Sequence, residues 1–370
     1  MNKGRLDCIQ VLRGIAALLV VLFHFRHYIN DIYPVKDLGD RLFLFGEAGV
    51  DLFFVISGFI IVYSSSNKNK NTFVKFIIKR VFRLYPLYFV VLSIYLILYH
   101  GEEFNLNNII KSYFLIPLDY NEKGPWFGLS TIYTAWTLTY EVYFYVVFSI
   151  AILVSHKYRA VICMMIIFVI MILSQNFIYG YNFITPLTSK QSLHGVIYNF
   201  SFISNPLVFD FILGMIVAYL YIAYDKLSIN NILSTSISLI LLSLSVILII
   251  SHATAHVGPL SWGMLSAIIV FSVLIISKNT NINYPRSLMY FGEMSYSIYI
   301  NHVVVKKVAF YYIGPLGFFS QDDGGVILFS LIISTLCLSF ITYNFIEKPC
   351  VKYGHIISEK LRTERETLKL

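Results

Sequence analysis

Charge is what this chain has least of. Lysine, arginine, aspartate and glutamate make up 13% of its 370 residues, about half the share usual in a soluble domain. A composition this poor in charge lies outside the water-soluble class. Cysteine is scarce too: Cys8, Cys163, Cys337 and Cys350 fall at helix ends or within apolar runs. Their spacing fits neither a metal site nor a disulfide framework, so no metal is expected and the thiols should be buried in apolar surroundings. Internal repeats are lacking, and no domain boundary is visible between 11 and 346.

What is present is apolar sequence. Hydrophobic residues make up 57% of the chain, with a mean hydropathy of +0.71. Long apolar runs recur at roughly 11–28, 46–65, 81–99, 131–155, 158–174, 206–224, 232–252, 261–277, 287–305 and 325–346. Each is near the ~17–25 residues that cross a bilayer as a helix. The expected fold is therefore an all-α polytopic membrane protein of about ten transmembrane helices. The mixed stretch 175–205 suits a re-entrant or interfacial segment. The first run is too long, and too poor in small residues at its end, for a cleaved signal peptide.

Lysine and arginine set the orientation. Nineteen of the 28 fall in segments that share a side with the N-terminus, so both termini should be cytoplasmic. The loop Ser64–Lys79 then faces the cytoplasm and 100–130 faces outward. The same asymmetry accounts for the net charge of +8, which is no sign of nucleic-acid binding. The expected organisation is a transmembrane domain over 1–350 and a charged cytoplasmic tail over 351–370, with a composition suited to disorder from Ser358 to Leu370.

Inside the spans, ionisable groups are costly and mark function by default. Arg13 and His24 share the first span eleven positions apart, which returns them to nearly one helix face. They stand about 16 Å apart along it, by the helix rise. Ordered by depth, the polar groups form two tiers. An outer tier holds His24, Asp51, Glu141, Asp210 and His302; an inner tier holds Arg13, Lys79, Arg80, Arg83 and Glu347. Arginine suits bidentate phosphate recognition, and Arg80 and Arg83 share a face, although basic residues ending a span also serve simply to anchor topology. His24 has the chemistry of a general base, with Glu141 or Asp51 as the carboxylate that would orient it. A buried pairing explains each carboxylate equally well. The two tiers suggest a donor held on the inner side and a reaction further out.

Seven fragments then fall in order along nearly the whole chain: LRGIAALLVVLFH, GVDLFFVISGFII, KRVFRLYPLYF, WTLTYEVYFY, FDFILGMIVAY, FGEMSYSIYINH and YNFIEKP. Together they resemble the membrane-bound acyltransferase-3 family. The resemblance implies transfer of an acyl group, usually acetyl from cytoplasmic acetyl-CoA, to a hydroxyl of a glycan or lipid-linked glycan at the outer face of a bacterial cytoplasmic membrane. Acyl-CoA is then a co-substrate, and no cofactor is tightly bound. Position by position, His24 matches the catalytic histidine, while Arg13, Arg80 and Arg83, with Lys79 beside them, match donor-binding motifs. Glu141 matches the glutamate of the tryptophan–glutamate motif that includes Trp136, and His302 and Asp210 are supporting or acceptor-side candidates. Some relatives carry a second esterase-like domain. About twenty residues follow the apolar core here, so none is expected, and this chain or a separate protein completes the transfer. Succinyl in place of acetyl, or a glycan carrier or flippase in place of an enzyme, are the alternatives. Oligomeric state is not readable.

Overall fold

In hydrocarbon every backbone polar group needs an internal partner, which leaves helices as the natural solution for apolar runs of this length. The computed structural model of the chain is helical accordingly, with no strand among the described residues. Those are residues 6–66, 73–98, 105–120, 122, 124–179, 202–227, 229–251, 257–280, 282–316 and 323–367. The expectation for 175–205 falls mostly outside them.

Each of the ten apolar runs holds one main helix: α1 Asp7–Phe25, α2 Gly49–Ser64, α3 Phe73–Ile97, α4 Trp136–Val154, α5 Arg159–Tyr179, α6 Val208–Tyr224, α7 Asn231–Ile250, α8 Met264–Thr280, α9 Ser295–Val308 and α10 Gly324–Thr342. Eight helical segments among the described residues are long and apolar enough to cross a bilayer, while α6 spans only 17 residues and α9 only 14. The protein is thus a multi-pass membrane protein. Beyond α10 a π-helical turn, Tyr343–Glu347, leads into α11, Lys348–Thr367. Here the expectation of an unstructured tail is corrected. The segment is helical, and it packs on α3, with Gly354 against the Phe82 ring.

Burial tells the helices apart. The segment carrying α2 has 72% of its most apolar window buried inside the protein, against 17% for α7. So α2 is central and α7 is a lipid-facing flank that leans on α8. Lengthwise packing joins α2 to α6 and α9 to α10, while α1 lies against α2, α9 and the short helix Arg286–Glu293. The expectation for cysteine holds in part: Cys8 and Cys163 are buried, whereas Cys337 is exposed and Cys350 half-buried. On an apolar helix such as α10, an exposed position is a lipid-facing one.

Candidate active site

The geometry begins with α1 and α9, which lie side by side and run the same way. Near one end Arg13 donates from Nη2 to Ser295 Oγ at 2.9 Å and from Nη1 to Gln10 Oε1 at 3.2 Å. Near the other end the His24 and His302 rings meet, centroids 4.9 Å apart. On α9 the residues that matter, Ser295, Tyr299 and His302, recur at i, i+4 and i+7, a single stripe on one helical face.

Around Arg13 the structure encloses a cavity of about 230 Å³, lined among others by Arg13, Arg80, Arg83, Glu141, Tyr145 and Tyr299. Three of the four expected donor-side residues therefore converge. Arg80 lies over the Tyr145 and Phe76 rings, at 5.0 and 5.3 Å from their centroids, and Tyr145 donates its hydroxyl proton to Glu141. Glu347, buried and accepting from Ser297 Oγ at 2.6 Å, acts electrostatically on both Arg13 and Arg83, as does Glu141. With every group ionised, three guanidiniums face two carboxylates. One positive charge is left over in a pocket made largely of aromatic and apolar walls. That is the sign, and guanidinium is the donor type, that a phosphate asks for.

Two expectations are corrected at this cavity. Glu141 was placed by depth in the outer tier beside His24; the fold instead sets it among the arginines, because α4 presents Glu141 and Tyr145 one turn apart on the face turned to α3. Lys79 does not line the cavity. It neighbours Arg80 in sequence, about 100° around the helix, and its charge acts on His355 of α11.

His24 forms a second centre. Its Nδ1 lies 2.8 Å from the Val20 carbonyl oxygen. A carbonyl can only accept, so this bond places the proton on Nδ1 and leaves Nε2 of a neutral ring with its lone pair. The ring is flanked by Tyr133, centroids 5.1 Å apart, and by His302. His302 is fully buried, with no side-chain hydrogen-bond partner for its ring nitrogens among the described residues; backbone groups of its own helix, at Tyr299 and Ile298, act on the ring. Lys306 closes the far side, donating to the His24 carbonyl oxygen at 3.3 Å. No carboxylate joins His24 in this shell among the described residues: the Val20 carbonyl does the orienting that Glu141 or Asp51 was expected to do.

Asp51 belongs to a third group. It is fully buried between α2 and α6 and accepts from the Gly258 amide at 2.6 Å. Its carboxyl and that of Asp210 act on one another, and neither Asp51 Oδ2 nor either Asp210 oxygen has a donor among the described residues; two acceptor-only groups so placed stay together by sharing a proton. Gly258 precedes the π-helical turn Pro259–Gly263, where Ser261 leaves helical geometry. The pair thus ties α2, α6 and the entry to α8 together, the pairing role left open above. Trp136 opens α4 with its ring 5.9 Å from that of Tyr140, edge-on, and is not part of the cavity lining.

Residues that the sequence reading did not single out complete the picture. Tyr145 was detectable from its i+4 spacing to Glu141. Ser295 and Tyr299 were detectable from the polar stripe ending at His302. Tyr133 precedes the regular part of α4, in the short 3-10 turn Tyr133–Ala135, where no helical spacing points to it.

Comparison with known proteins agrees with this arrangement. Residues 6–344 match the model of an acyltransferase domain. The chain is 23% identical over 319 residues to the exopolysaccharide production protein ExoZ of Rhizobium meliloti (strain 1021), covering 84% of this chain and 92% of that protein. No solved structure matches it. Cavity, histidine pair and the ten main helices therefore sit within one matched region, and the chain belongs to the acyltransferase-3 family of membrane acyltransferases.

Proposed function

We propose that the protein moves an acyl group, acetyl in the first instance, from cytoplasmic acyl-CoA to a hydroxyl of an extracellular polysaccharide or its lipid-linked precursor, within a bacterial cytoplasmic membrane. The observation that carries this reading is the shared wall of the two centres: α9 gives Ser295 to Arg13, Tyr299 to the arginine cavity and His302 to His24. In this reading Arg13, Arg80 and Arg83 hold the phosphates of CoA. The thin pantetheine arm carries the thioester toward His24, roughly 16 Å further along α1 by the helix rise. The name of the similar rhizobial protein supports a polysaccharide acceptor.

His24 Nε2 takes the proton from the acceptor hydroxyl as its oxygen attacks the thioester carbonyl. The carbon–sulfur bond breaks, the carbon–oxygen ester bond forms, and the proton passes from the imidazolium to the leaving thiolate as free CoA. A covalent acyl-histidine is the variant route: Nε2 attacks first, and the acceptor then takes the acyl group from it. Removing a general base costs about 10²–10⁴ in rate. Purified protein in proteoliposomes, given radiolabelled acetyl-CoA and polysaccharide precursor, should transfer label; His24→Ala should lose at least a hundredfold while binding CoA normally. Transfer by the variant at the unaltered rate would sink the reading. Failure of the unaltered protein to consume any acyl-CoA would favour a glycan carrier instead.

A further inference from the structure

Among the described residues, the lining of the arginine cavity stops short of His24. Phe53, Thr137 and Tyr299 line the cavity, whereas neither His24 nor His302 does. Tyr299 stands at the boundary. Its ring meets both Phe53, which lines the cavity, edge-on with centroids 5.8 Å apart, and His302, which does not, at 6.1 Å. The ring is held in place: the hydroxyl donates to the Thr134 carbonyl oxygen at 2.8 Å and lies 2.6 Å from Thr137 Oγ1. Two anchors on one phenol make a stiff partition rather than a loose flap, and Tyr299 is itself buried. Phe53 is half-buried and free of such anchors.

We infer that Tyr299, with Phe53 opposite it, is the partition that the acyl group must pass between donor cavity and His24, and that it sets the size of the acyl group, confining the enzyme to short chains. The inference rests on the proposed acyl-CoA reading and adds to it a substrate class, acetyl over butyryl or succinyl. The physical ground is close packing. A partition built of one anchored ring and one packed ring yields room for a methyl far more readily than for a propyl or a carboxyethyl. Each methylene a pocket cannot accept costs roughly 10–200-fold in discrimination.

The test is a competition among acetyl-, propionyl-, butyryl- and succinyl-CoA, scored by mass spectrometry of the acylated product. The proteins compared are the unaltered enzyme, Tyr299→Ala, Tyr299→Phe and Phe53→Ala. Tyr299→Ala should raise the butyryl-to-acetyl ratio at least ~10-fold. Tyr299→Phe keeps the ring, loses both anchors, and should shift the ratio by less. Should Tyr299→Ala fail to fold, Phe53→Ala opens the same partition from the other side and should raise the ratio too. A ratio that stays within twofold of the unaltered enzyme in a folded, acetyl-transferring alanine variant overturns the partition alone. If the unaltered protein transfers no acyl group from any of the four donors, the acyl-CoA reading falls and the inference with it.

Discussion

Gly58 of α2 and Gly214 of α6 are the points at which two central helices touch backbone to backbone. A Cβ added at Gly214 would stand 2.0 Å from the Val55 carbonyl oxygen, and one at Gly58 would stand 2.1 Å from that of Phe211. Ordinary contact for such a carbon begins near 3.4 Å, so either alanine forces the helices apart by more than an ångström. Neither obstacle is a side chain that can swing away. Overpacking of this kind costs about 1–3 kcal/mol. Both methyl groups demand the same separation, so once the first is present the second adds little. Gly58→Ala and Gly214→Ala should each lower stability by that amount, and the double variant should lose well short of the sum. Neighbouring sites of this sort commonly couple by ~0.5–3 kcal/mol. Thermal unfolding in detergent, followed by a thiol dye at buried Cys8 and Cys163 with Cys337 and Cys350 changed to serine, would measure it. A neutral single variant, or a double variant equal to the sum, would refute the backbone-contact reasoning.

Other expectations are open to direct measurement. A cysteine at Asn107 should react with a thiol reagent that cannot cross the membrane, whereas one at Lys360 should not; the reverse pattern would invert the assigned topology. Changing Arg80 and Arg83 to glutamine removes two charge-assisted contacts of about 1.5–3 kcal/mol each, so CoA affinity by calorimetry should fall by roughly two orders of magnitude or more. Unaltered affinity in the folded double variant would leave the two arginines as topology anchors only. Asp51→Ala strands the Gly258 amide and the Asp210 carboxyl in a dry site and should cost several kcal/mol, at about 1–3 per unpaired group. Asp51→Asn keeps an acceptor for Gly258 and offers Asp210 a donor, so it should lose much less in the same unfolding assay; equal losses would argue against the shared proton.

Much of the fold was legible because the bilayer simplifies the code. Runs such as Val11–Tyr28 and Gly324–Thr342 announce themselves by length and apolarity, and the lysines and arginines between them give direction. The convergence of Arg13, Arg80 and Arg83 was legible from depth, since groups at one level in adjacent spans have few places to go. Depth alone misled for Glu141 and Asp51. Both lie toward the ends of their helices assigned to the outer side by the lysine and arginine count, as His24 does, but a helix also has faces, and only packing decides which face meets which neighbour. Asp51 turns to α6 and Glu141 to α3, and no periodicity within a single span could have told them apart. The tail was misread for a related reason: its charge suits disorder, yet Gly354 lets α11 press against Phe82 of α3.

The pairing of α1 with α9 has a consequence for how the protein is made. The bond from Arg13 to Ser295 and the bond from Lys306 to His24 each join residues 282 positions apart. At about 5–20 residues per second, the ribosome needs roughly 14 to 56 s to supply the second partner after the first. Throughout that interval α1 resides in the membrane with a guanidinium and an imidazole facing no partner from α9. An arginine at mid-helix alone costs ~2.5–3.5 kcal/mol on the insertion scale, and Arg13, near the N-terminal end of α1, draws on less of that. The apolar remainder of α1 must hold it in place until then. Birth order thus makes the proposed reaction centre a late event: a chain arrested before α9 possesses the arginines and the proposed base, but not the serine, tyrosine and second histidine that bring them together.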